Sequence, residues 1–133
     1  MAAGVVAAAL ATVPSPASAQ IGPQFGESSY RLFCSGCHGP DGRGNGELAQ
    51  ALGMPLGDLT QIAKRNGGVF PAEEITRLLT GRGPRGHIDL NVAPWAQTFA
   101  EEFEDFASRI VTNAMVARRI DHLVAYLESI QEE

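Results

Sequence analysis

The chain has 133 residues, 44% of them hydrophobic, which is the length and composition of one ordinary globular domain. Its net charge of −5, with the cations scattered, excludes a nucleic-acid binder, because a phosphate backbone calls for a concentrated basic face. An acidic surface instead suits a soluble protein that docks on a basic patch of a protein partner.

The first nineteen residues carry no charged side chain. Val5 to Leu10 is an apolar run too short to cross a bilayer, and Pro14, Pro16 and Ala17-Ser18-Ala19 follow it. The last three form the small-x-small pattern that precedes a signal-peptidase cut, so residues 1–19 are expected to be a secretory signal and 20–133 the mature domain. No basic residue precedes the apolar run, so the natural start is expected to lie upstream. No other stretch has the length and apolarity of a membrane span.

Gly26 to Phe33 reads as a short helix leading into two cysteines. Gly39 to Gly46 holds too many glycines for a helix or an interior strand and reads as a loop. Leu48 to Leu52 adds one helical turn. Asp58 is placed to cap a helix through Leu59, Ile62 and Ala63 that stops at Gly67-Gly68. Pro71 then opens a helix whose first turn carries Glu73 and Glu74 at the positive dipole end. Ile75, Leu78 and Leu79 form its apolar stripe, and Gly81 ends it. Arg82 to Pro94 has two Gly, two Pro and no period, hence a loop, and Glu101 to Arg109 reads as a polar helix. Ile120, Leu123, Val124 and Leu127 mark the last helix, with Arg118 and Arg119 at its start. The expected fold is all-α, four to five short helices joined by long loops, and long loops in so small a domain suggest that something is being wrapped.

The chemistry sits in Cys34-Ser35-Gly36-Cys37-His38. C-x-x-C-H is the attachment signature of haem c: two thiols add to the two vinyl groups of one haem, and the histidine after the second cysteine becomes an axial iron ligand. Three other readings of these residues compete. A dithiol of the thioredoxin kind would follow a strand in a βαβ pattern, which is absent from this sequence. A zinc site would need a second ligand pair, and His87 and His122 are too far apart in sequence to be one. A disulfide across two residues is geometrically awkward and gives His38 no part.

Beyond the motif, the chain resembles the class I c-type cytochromes, specifically the bacterial monohaem members. Gly26 and Tyr30 stand eight and four residues before Cys34, and Leu123 and Tyr126 stand three apart in the last helix, as in that family. The stretch from Cys37 to Gly46 and the segment Gly53 to Thr60 are similar to the family's as well. The resemblance runs from about Gly26 to Gln131. It implies one covalently bound haem c held by Cys34 and Cys37, with His38 on the iron. It also implies first and last helices that cross, Gly26 allowing the approach and Tyr30 and Tyr126 locking it.

The resemblance breaks at the sixth iron ligand. Family members of this kind carry it as Met-Pro-x-Trp, whereas here Asn91-Val92-Ala93-Pro94-Trp95 puts Val92 or Ala93 where the methionine would be. Met115, His87 and Asn91 are the candidates to replace it, or to stand on the distal side of an open site. Met54 is read chiefly as packing, and Arg82 and Arg85 as partners for the propionates. Two functions follow from the resemblance. The first is a periplasmic electron carrier, not an enzyme, passing single electrons between protein redox partners as a monomer. The second is a haem c with an open sixth site that binds O₂, NO or CO, or that serves as a subunit of a redox enzyme.

Overall fold

A computed structural model describes residues 21–83, 95–103 and 109–133. The expected signal segment, Arg85, His87, Asn91 and Val92 lie outside the described residues. Among the described residues the chain is all-α, with no strand. In order the helices are α1 (Ile21–Phe33), α2 (Ser35–His38), α3 (Glu47–Ala51), α4 (Ile62–Arg65), α5 (Ala72–Leu79), α6 (Trp95–Phe103) and α7 (Arg109–Ser129), with a 3-10 turn at Leu59–Gln61 before α4.

Seven α-helices stand among the described residues where four to five short ones were expected, and three of them begin earlier than the sequence reading placed them. α1 is already helical at Ile21, because Pro23 falls in the first turn, where the amide it lacks has no intrahelical acceptor. α6 begins at Trp95 and not at Glu101, since its apolar side chains, with Phe99 fully buried, set its packing face. α7 begins at Arg109 and not at Arg118. Buried Thr112 and Val116 continue the stripe of Ile120, Leu123 and Leu127 backward at helical spacing, and the β-branched pair hides that continuation from propensity alone.

Helix ends follow local chemistry. Asp58 caps the 3-10 turn by accepting from the Thr60 amide at 2.8 Å and the Thr60 hydroxyl at 2.6 Å. α5 ends in a Schellman motif, with Arg82 N–H donating to the Arg77 carbonyl (2.7 Å) and Gly81 N–H to the Leu78 carbonyl (3.1 Å). The corresponding long bonds close α3, from Met54 to Ala49, and α4, from Gly68 to Ala63. Three short helices can therefore end within one or two residues and turn the chain sharply each time.

The core is built where α1 packs across α7. Gly26 makes this possible: a Cβ there would collide with the His122 carbonyl and with the Tyr126 Cβ, so no larger residue fits. The Tyr30 and Tyr126 rings meet beside it at 5.2 Å between centroids, and Tyr30 and Leu123 are fully buried. His122 stacks on Phe25 of α1 at 5.6 Å between ring centroids. Arg119, in the middle of α7, ties in α6. Its guanidinium lies 4.2 Å from the Phe99 ring centre and 5.1 Å from that of Phe33, bonds Ser29 of α1 at 3.1 Å, and pairs with Glu102.

Candidate functional site

A single helical turn organises the cysteine motif. His38 N–H donates to the Cys34 carbonyl and Gly39 N–H to the Ser35 carbonyl, each at 2.8 Å. Residues three and four apart share a helix face, so Cys34, Cys37 and His38 point the same way while Ser35 and Gly36 point elsewhere. All three line one cavity of about 650 Å³, a volume typical of pockets that enclose a cofactor-sized ligand.

The glycine-rich segment then folds back onto the motif. Gly44 N–H donates to the His38 carbonyl (2.8 Å) and Gly46 N–H to the Cys37 carbonyl (3.2 Å). A Cβ on Gly46 would run into the carbonyls of Gly36 and Cys37, so the glycine is what lets α3 start directly against the motif. From the other side, the Tyr30 hydroxyl donates to the Gly39 carbonyl at 2.7 Å. The backbone around His38 is thus held from both flanks. Burial, with Cys34, Tyr126 and Asp41 adding to it, pushes the Tyr30 phenol well above its ordinary range, so it stays protonated as the donor.

Every described helix contributes to the cavity wall. α1 supplies Tyr30 and Phe33, α7 supplies Leu123 and Leu127, and α6 supplies Trp95. The rest of the wall is chiefly aliphatic: Leu48 from α3, Leu59 and Ile62 around the 3-10 turn, and Ile75, Leu78 and Leu79 from α5. Leu48 and Leu52 face the cavity yet remain 51% and 62% exposed, so they form its rim. The reading of the sequence treated Leu48–Leu52 as no more than a helical turn and did not single out Trp95 or Phe33 as wall residues. The i, i+4 leucine pair was the available signal for α3.

Both thiols are free. Burial, with the neighbouring Cys37 adding to it, pushes the Cys34 thiol up to about 12. A redox-active dithiol needs the reverse, a thiol lowered toward neutrality so that thiolate is available, so this environment disfavours exchange chemistry. Among the described residues no group of three or more His, Cys, Asp or Glu side chains is gathered as a metal cluster. Nor is any helix among them long and apolar enough to cross a membrane.

The candidates for a sixth ligand separate clearly. Met54 lines the cavity. Met115 is 40% exposed on α7 and takes no part in the lining. His87 and Asn91 lie outside the described residues. Arg82 is exposed just beyond α5. No protein-family model, curated protein or solved structure matches the chain.

Proposed function

We propose that this chain is a periplasmic monohaem c-type cytochrome of the class I kind, carrying single electrons between protein redox partners. The observation that supports this most is the convergence of Cys34, Cys37 and His38 on one wall of an apolar cavity enclosed by every described helix. The donor set suits haem. The thiols of Cys34 and Cys37 would hold it, each adding across one vinyl group with its proton going to the neighbouring carbon, so no oxidant would be consumed. The His38 imidazole would supply a nitrogen ligand to the haem iron. Bound haem supplies a one-electron ferric/ferrous couple.

The remaining residues hold and dry the site. Gly46 holds the peptide before His38 and Gly44 the one after it, Tyr30 holds the next carbonyl at Gly39, and together they orient the His38 ring. The wall from Leu59 to Leu79 excludes water from it. Residues 1–19 direct the chain to the periplasm, where the cysteines meet haem, and the acidic surface favours partners that present a basic patch. A second reading, an open sixth site that binds a small gas, is favoured by Val92 and Ala93 standing where a methionine would be expected.

Optical spectra of the periplasmically matured protein test both readings. A sharp reduced α-band unchanged by CO is expected of the electron carrier. Broad high-spin bands that shift on CO addition would overturn it in favour of gas binding, and no haem absorbance would overturn both.

A further inference from the structure

Past the end of α7, Gln131 sits in an arrangement that the haem reading does not use. Its amide oxygen accepts from the Ala63 N–H at 2.8 Å. Its amide nitrogen donates to the Leu59 carbonyl at 2.9 Å and to the Leu127 carbonyl at 2.7 Å. Both donor hydrogens and the acceptor oxygen are thereby engaged, all by backbone. Leu59, Leu127 and Ile62, the residue before Ala63, have side chains that line the cavity. The half-buried Gln131 does not line it, so it bonds the backbone behind two neighbouring stretches of the wall.

The neighbouring bonds tie down the same strip of chain. Glu132 N–H donates to the Thr60 carbonyl at 2.9 Å, and its carboxylate accepts from Gln61 at 2.9 Å and from Arg43. The Leu59 N–H donates to the Gly42 carbonyl at 2.7 Å, linking the strip to the loop behind His38. The strip from Leu59 to Ala63 is too short to hold its position by its own helical bonds, since one 3-10 turn and one α-turn supply few of them. Gln131 gives the Ala63 N–H an acceptor and the Leu59 and Leu127 carbonyls a donor.

We infer that Gln131 is a positioning residue: its amide sets the spacing between the Leu127 wall and the Leu59–Ile62 wall, and so sets how far water is kept from the haem. This rests on the haem reading above. Water favours the more highly charged ferric state, so a looser wall lowers the reduction potential.

The test uses the full chain matured with haem, as wild type, Gln131→Met (similar length, no hydrogen bonds) and Gln131→Asn (an amide too short to reach both walls). Potentials are read by spectroelectrochemical titration, and exchange of the Ala63 amide by NMR. Both variants are expected to show a lower potential than wild type and faster Ala63 exchange, with the larger shift in Gln131→Met. Unchanged potentials alongside a lower melting temperature would make Gln131 merely structural and overturn the inference alone. Wild type that carries no haem would overturn the functional reading, and this inference with it. If neither variant matures, the wild-type amide decides: exchange at the rate of an exposed loop overturns the inference, and strong protection supports it.

Discussion

The crossing of α1 over α7 and the wall running from α3 to α5 are built on different terms. At the crossing, backbone approaches backbone over Gly26, Tyr30 and Leu123 are buried to within 1% of complete, and aromatic pairs fill the space between. That region packs against itself. On the wall from α3 to α5, Leu48 and Leu52 remain largely exposed, and the helices that carry it have only four to eight residues each. Short helices of this kind are marginal in water without a tertiary partner. One side of the molecule is therefore a finished core, and the other is an apolar surface shaped for a bound apolar group.

This contrast can be broken most severely at Gly26. Gly26→Val drives a branched side chain into the His122 carbonyl, which belongs to a rigid helix, and is expected to cost about 3 kcal/mol or more. Loss of the cooperative thermal transition would show it. Next comes a paired comparison. Ile120→Ala, in the finished core and away from the cavity, should cost about 2–5 kcal/mol in the protein as matured. Leu52→Ala, on the rim, should leave the helical circular dichroism of the haem-free chain unchanged and lower the melting temperature only of the haem-loaded protein. Equal effects of Leu52→Ala in both forms would erase the distinction between the two sides.

Smaller effects sharpen the account. Tyr30→Phe keeps the ring and removes the bond to the Gly39 carbonyl, an expected loss of about 1 kcal/mol by denaturant titration. Asp58 has its carboxyl held below the usual range, chiefly by the bond from the Thr60 hydroxyl, with the Thr60 amide, Arg43 and Arg65 adding to it. A group with a depressed folded pKa stabilises the protein above its unfolded pKa and loses that contribution as pH falls through the folded one. Asp58→Ala should therefore be less stable than wild type near neutrality, and the two melting curves should converge in acid.

Much of this architecture is legible in the sequence because local signals and packing agree there. The C-x-x-C-H spacing puts three donors on one face through helical geometry alone, and Asp58, Pro71 and Gly81 mark helix ends by their own backbone chemistry. Gly26 beside Tyr30 was readable only through resemblance, since nothing local says what a helical glycine approaches. The start of α7 was hidden because Thr112 and Val116 are poor helix formers that tertiary burial overrides. Arg119 looked like an opening charge of the last helix and proved to be a cation held against Phe33 and Phe99, contacts that exist only after α1, α6 and α7 assemble. Gln131 gave no signal at all, because an isolated amide near a chain end acquires meaning only from the carbonyls it meets.

The central claim is that Cys34 and Cys37 hold one haem by covalent bonds. Its most direct test is the intact mass, under denaturing conditions, of the full chain matured in a bacterial periplasm. The account predicts a polypeptide heavier by one haem, with no thiol left to alkylate and with the added mass lost in the Cys34→Ala, Cys37→Ala double variant. A polypeptide of bare mass with two alkylatable thiols, recovered from cells that mature other c-type cytochromes normally, would contradict it.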